Sequence, residues 1–230
     1  MSKKVAILQS NYIPWKGYFD LMQQVDVFII LDEVQYTKND WRNRNRIKTP
    51  QGLHWLSIPV YRPSSRQKIS ETRIAFPNWY RKHWHSWQST YRQAPYFEQY
   101  ESPLRDLYEN CRFELLSEIN NYFLEAICSW LHISTPLLHS RDLELKEDRN
   151  ERLLHLIKQV GGTIYLTGPA AQDYLNLEAF TKENIEVKWM NYQHYPEYPQ
   201  LYPPFSHQVS IIDLILHTGP EASQYIKRRG

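Results

Sequence analysis

The chain has 230 residues, 42% hydrophobic and 23% charged, which is ordinary globular usage and excludes disorder, collagen-like repeats and coiled coil. A formal net charge of +2 gives no global electrostatic footprint for nucleic acid, so a nucleic-acid partner is not expected. Glycine is scarce, at 7 residues, and no GxGxxG, GxxxxGK, GxSxG or HExxH occurs, which argues against P-loop, standard Rossmann, elbow-type hydrolase and zincin chemistry.

Val5 to Leu8 is a short apolar run that reads as a buried strand. It is too short for a signal-peptide core. Gly17 to Gln24 suits a short helix and Val27 to Leu31 a second strand, giving a βαβ start and a parallel sheet. That second run is far short of the ~20 residues that span a bilayer, so no membrane partner is expected. Residues 36 to 52 are polar and basic and read as a loop or extended arm. His54 to Val60 and Thr72 to Phe76 read as strands, separated by a loop at Arg62 to Gln67.

Tyr80, Trp84, Trp87 and Tyr91 lie on one helical face, and Leu116 to Trp130 repeats the helical spacing. A helical segment is therefore embedded at about 78–131. Pro136 to Leu138 suits a core strand, and Asp148 with Glu151 forms a capping box ahead of a helix closed by Gly161-Gly162. Thr163 to Leu166 and Ile185 to Met190 read as strands, with a helix after Thr167-Gly168-Pro169 and another at Leu177 to Lys182. Residues 191 to 205 interleave tyrosines with four prolines, which forbids regular helix and predicts an extended strap. Ser210 to His217 is a last apolar helix. The expectation is one α/β domain over residues 1–230 with a mostly parallel sheet.

Two constellations carry possible chemistry. In Trp41 to Lys48 the cations alternate, so an extended arm places Arg42, Arg44 and Arg46 on one face and Asn43 and Asn45 on the other. Guanidiniums on one side suit a diphosphate, while a solvated edge strand is the plain alternative. The turn after the first strand holds Gln9 and Asn11, with Tyr12, Trp15 and Tyr18 as flat faces for a base or sugar. An aromatic turn packed into the core is the plain alternative there. Asp32 ends the next strand, with Tyr36 and Lys38 close behind, and is the candidate base. Thr167 and Gly168 at another strand end could offer amides to an anion, and His207 could approach from the strap. His83 and His85 sit two apart on a helix and cannot share one ion, so no metal and no cofactor is expected. Cys111 and Cys128, without a CxxC pair, suit a reducing cytoplasm.

The stretches ILQSNYIPWKGYFD, DVFIILDEVQY and WRNRNRIKT resemble the WbqC-like family, as do LTGPAAQDYL, the Tyr195 to Gln200 strap and SIIDLI. Members often read His-Gln-Pro where this chain has Leu8-Gln9-Ser10, so nothing is carried over for that His or Pro. The resemblance implies a role in surface-polysaccharide (O-antigen) precursor synthesis. Its form is a transferase making an amide on a nucleotide-linked amino sugar, with an aminoacyl or acyl donor as second partner. A distant likeness to nucleotidylyltransferases is also expected, although Trp15 and Tyr18 stand where those enzymes hold two histidines. The alternatives are an ATP-dependent amide ligase of that fold and a tRNA-binding module.

Overall fold

The computed structural model describes residues 2–62, 64 and 66–226. Pro63 and Ser65, within the expected Arg62–Gln67 loop, lie outside the described residues. Strands are β1 (Lys4–Leu8), β2 (Val27–Ile30), β3 (Arg44–Thr49), β4 (Gly52–Ser57), β5 (Leu137–His139), β6 (Ile164–Thr167) and β7 (Glu186–Trp189). Five of them form a sheet in the order β5-β2-β1-β6-β7, and every adjacent pair is parallel. β3 and β4 form a separate antiparallel hairpin in which Arg46 faces Trp55.

The α-helices among the described residues are α1 (Lys16–Gln23), α2 (Trp79–Tyr91), α3 (Phe97–Glu109), α4 (Leu116–Trp130), α5 (Arg149–Gln159), α6 (Leu177–Lys182) and α7 (Ile211–Thr218). Side chains of a strand alternate between faces, and here both faces are covered. Val5, Ile7, Val27, Ile29 and Tyr165 pack on Leu153, Leu156 and Ile157 of α5 and Phe180 of α6. Ala6, Phe28, Ile30 and Leu166 join the larger core with α1 to α4 and α7. Burial on both faces is why β1 and β2 appear in the sequence as unbroken apolar runs.

The structure sharpens three expectations. Of the loop or extended arm, residues 44–49 are extended and gain a ladder partner in β4. Thr72 to Phe76 makes only isolated bridges, Val60 to Ile74 and Arg73 to Leu115, and is not a strand. The helix expected after Thr167-Gly168-Pro169 is a short 3-10 helix, Pro169–Asp173. The embedded segment holds three helices; α3 escapes the periodic reading because Pro103 lies inside it.

The strap has no helix or strand and is tied down by side chains. Lys16 Nζ donates to Pro196 O at 3.1 Å, and the Tyr195 hydroxyl donates to Asp20. Lys48 Nζ donates to Gln200 Oε1 at 2.6 Å and to Pro204 O. Tyr91 and Tyr198 each donate to the buried Asp213 carboxylate at 2.6 Å, and Gln200 Nε2 donates to it at 2.7 Å.

Candidate active site

From β1 the chain steps through β2 to β5, then returns to β6 on the other side of β1 and continues to β7. Connections leaving neighbouring strands in opposite directions open a crevice at their carboxyl ends, where open α/β sheets take ligands. Here the crevice is a cavity of about 590 Å³. Arg42, Arg66, Lys68, Arg149 and Arg152 supply its cations, while Glu33 and Asp40 supply its carboxylates.

Local structure aims five of these groups. Asp148 caps α5 by accepting from Asn150 N at 2.8 Å and Glu151 N at 3.0 Å, so Arg149 and Arg152 occupy the first turn. Arg152 is braced by the carbonyls of Lys146 and Glu147, at 2.7 and 2.6 Å. The Arg149 guanidinium lies 4.5 Å from the ring centre of Tyr174, another crevice residue. Arg42 donates to Gln9 Oε1 at 3.1 Å and to Asn11 Oδ1, and pairs with Asp40 at 3.6 Å. Burial alone would raise the Asp40 carboxyl. Arg42, the Thr37 hydroxyl and the Trp41 N–H outweigh it and hold the group below its ordinary value. Glu33 accepts from the Ser140 hydroxyl.

The profile of the WbqC-like protein family matches residues 9–225. The chain belongs to the WbqC-like protein family. It is also 46% identical over 226 residues to an uncharacterized protein of Mycobacterium tuberculosis, Rv1507c, covering 98% of each chain. No solved structure matches, and the distant kinship with nucleotidylyltransferases is not confirmed. No helix among the described residues is long and apolar enough to cross a membrane.

In this WbqC-like chain the residues expected at one site divide among several places. Gln9 and Arg42 reach the crevice. Asn11, Trp15, Asn45, Arg46 and His207 line a second cavity of about 560 Å³. Tyr36, Lys38, Asn43 and Arg44 line a third of about 550 Å³. The triple arginine clamp is therefore corrected. Arg44 and Arg46 do share a face, 4.1 and 4.4 Å from the Trp55 ring centre. Arg42 precedes β3 and is turned away by Gln9 and Asn11.

Other positions serve the fold. Tyr12 has no exposed surface and Tyr18 almost none, so neither offers a ring to a ligand; Tyr18 donates instead to Gln9 O at 3.1 Å. Asn45 donates to Ile13 O at 2.8 Å, and Asn43 donates to Ile58 O at 2.7 Å while accepting from Tyr36 at 2.9 Å. Thr167 is buried, Gly168 lies near Tyr192, and neither lines these three cavities.

Asp32 is also displaced from the crevice. Leu31 and Glu33 line the crevice, whereas Asp32 between them is buried and does not. Its Oδ1 accepts from Ser10 N at 2.8 Å, and its Oδ2 has no partner among the described residues. Burial raises its pKa above the ordinary value against the opposing Ser10 bonds. Asp32 lines a void of about 20 Å³ that also faces Asn121, whose Oδ1 is likewise unpartnered.

Sequence reasoning misses Arg66, Lys68, Arg149 and Arg152. For the last two a signal exists in the capping box. A helix that follows a strand of a parallel sheet begins at the sheet's carboxyl edge, so its first turn faces the ligand side.

Proposed function

We propose that this WbqC-like protein is a cytoplasmic transferase that forms an amide on a nucleotide-linked amino sugar destined for surface polysaccharide such as O-antigen. The observation that carries the reading is the joining of cations and carboxylates in one crevice. A diphosphate suits Arg149 and the braced Arg152, whose guanidiniums offer charge-assisted bonds, with Arg42 adding its charge from across the crevice. The amine and hydroxyls of the sugar suit Glu33 and Asp40. The volume falls within the ~300–1,000 Å³ of small-molecule sites. The polysaccharide setting rests on the family resemblance, and the compartment on two unpaired, buried thiols.

The amine nitrogen attacks the carbonyl carbon of an acyl, glycyl or aminoacyl donor. The carbon–nitrogen bond forms, the donor's leaving group departs with the electron pair, and the ammonium proton passes to a carboxylate. Asp40 is held by Arg42, which leaves Glu33 as the base in place of Asp32.

Calorimetric titration with a uridine diphosphate amino sugar tests the reading. Binding should fall about tenfold or more in Arg149→Ala/Arg152→Ala, as for loss of ~1.4 kcal/mol or more. Glu33→Gln should bind the sugar and transfer nothing. Equal affinity for the double variant and the wild type would remove the assignment.

A further inference from the structure

The second cavity is built differently from the crevice. Its walls are Pro14 and Trp15 of the β1–α1 loop, Trp41 and Arg46 of the arm, and His207 and Gln208 beyond the strap. Main-chain bonds fix these walls to one another. Tyr12 N–H donates to Trp41 O at 3.1 Å, Ser210 N–H to Arg46 O at 2.9 Å, and Ile211 N–H to Pro14 O at 2.9 Å. The cavity is therefore preformed, which lowers the ordering cost of binding.

Its chemistry is aromatic and cationic. The Trp15 indole lies across Gly17, where an added Cβ would come within 2.3 Å of the ring. Tyr192 meets it edge-on, with ring centres 5.2 Å apart. Trp41 is 40% exposed. The Arg46 guanidinium rests 4.4 Å from the Trp55 ring centre and 5.6 Å from that of Trp41, and donates to Gln208 Oε1 at 2.7 Å. The His207 Nδ1 atom is buried without a partner among the described residues. Among the described residues no carboxylate lines the cavity, so it lacks the acidic partner that a ligand ammonium needs. The crevice has two.

We propose that this cavity is a second ligand site, which takes the purine ring and phosphate of a nucleoside phosphate. The ring lies against the two indoles, the amide and imidazole groups meet its edge, and Arg46 takes the phosphate. If the reading of the crevice holds, on which this step alone rests, the bound unit is the carrier of the acyl group. Arg42 links the two sites, because its bonds to Gln9 and Asn11 span the wall between them. A free adenine nucleotide, a coenzyme A thioester and the terminal adenosine of an RNA all present this unit.

The test is calorimetric titration of the full chain with AMP, coenzyme A and a short single-stranded RNA ending in adenosine. AMP should bind once per chain, and Arg46→Ala should weaken it about tenfold or more, the ordinary scale for a lost charge-assisted contact. Trp15→Leu should also weaken it, and Arg46→Lys should restore only part, since an ammonium lacks the planar fork. Thermal midpoints matched to wild type exclude misfolding as the cause. The tightest of the three probes identifies the source of the unit. Failure of all three at millimolar concentration would overturn the proposal. So would AMP affinity that follows Arg149→Ala instead of Arg46→Ala. If AMP binding depends on Arg46 while the uridine diphosphate amino sugar does not bind, the crevice reading falls and this site stands.

Discussion

The hydroxyl of Tyr12 lies 2.8 Å from Nδ1 of His83, and this contact sets the direction of a hydrogen-bond chain through the core. The other ring nitrogen, Nε2, is 3.1 Å from the carbonyl of Ser57, which can only accept. Nε2 therefore carries the proton, Nδ1 accepts, and Tyr12 donates. Tyr108, 2.7 Å away, must then donate to Tyr12, and Trp87 Nε1 donates to Tyr108 at 2.8 Å. Every donor in the chain has one acceptor. A tyrosine that reads in sequence as a stacking platform is thus a fixed link in the core.

Acid should weaken the fold through His83. Burial lowers its pKa from 6.5 to about 4, against the opposing Ser57 carbonyl. Between those values the unfolded chain takes up a proton that the folded chain refuses. The stability contribution is complete above about 6.5 and is lost as pH falls towards about 4. Unfolding free energies of the wild type from urea titration should drop across this window, while those of His83→Gln should start lower, by about 1–3 kcal/mol, and vary less.

Asp32→Asn should stabilise the protein at neutral pH. The folded pKa of Asp32 is raised, so its buried charge is unfavourable above that pKa and costs nothing when acid neutralises it. Asparagine keeps the oxygen that accepts from Ser10 and adds a donor beside the unpartnered Asn121 Oδ1. The gain in thermal midpoint should appear at pH 7 and shrink towards pH 4. An equal gain at both pH values would contradict this account.

Lys16 gives the opposite end of the pH scale. Burial lowers its pKa from 10.5 to about 8, against Asp213 and Glu197. The folded chain therefore releases this proton before the unfolded chain does, and the contribution of Lys16 to stability rises with pH between about 8 and 10.5. Lys48 shifts in the same direction, while the buried Cys111, Cys128 and Tyr12, held protonated in the fold, act in the opposite one, so only a difference isolates Lys16. Lys16→Met keeps an apolar stem without the charge, and the midpoint of wild type minus that of the variant should grow across this window.

Gly17→Ala should damage the second cavity while sparing the crevice. A methyl group at this position overlaps the Trp15 indole, which must swing away from its place in the cavity wall. AMP binding should weaken at least fivefold, roughly 1 kcal/mol, with affinity for the uridine diphosphate amino sugar unchanged. Calorimetry on the same preparation reads both.

The sheet is legible in the sequence because strands buried on both faces need unbroken apolar runs, as in Val5 to Leu8 and Val27 to Ile30. The start of α5 is legible because Asp148 states its own cap. The site is harder to read because distant partners decide it. Arg42 has the same alternation as Arg44 and Arg46, yet Gln9 and Asn11 reorient it. The burial of Tyr12 depends on Trp79, His83 and Phe123, which belong to helices far along the chain. Local pattern carries no trace of such neighbours.

The pairing of Lys4 and Val5 with Ile164 and Tyr165 has a consequence during synthesis. A ribosome releases β1 and β2 long before β6 exists. Until then β1 carries one bare edge, a template for pairing with any passing strand. The nascent chain must shelter that edge while more than half of the protein is made. The seam that joins the two halves of the sheet late in synthesis is the one beside which the finished molecule stays open.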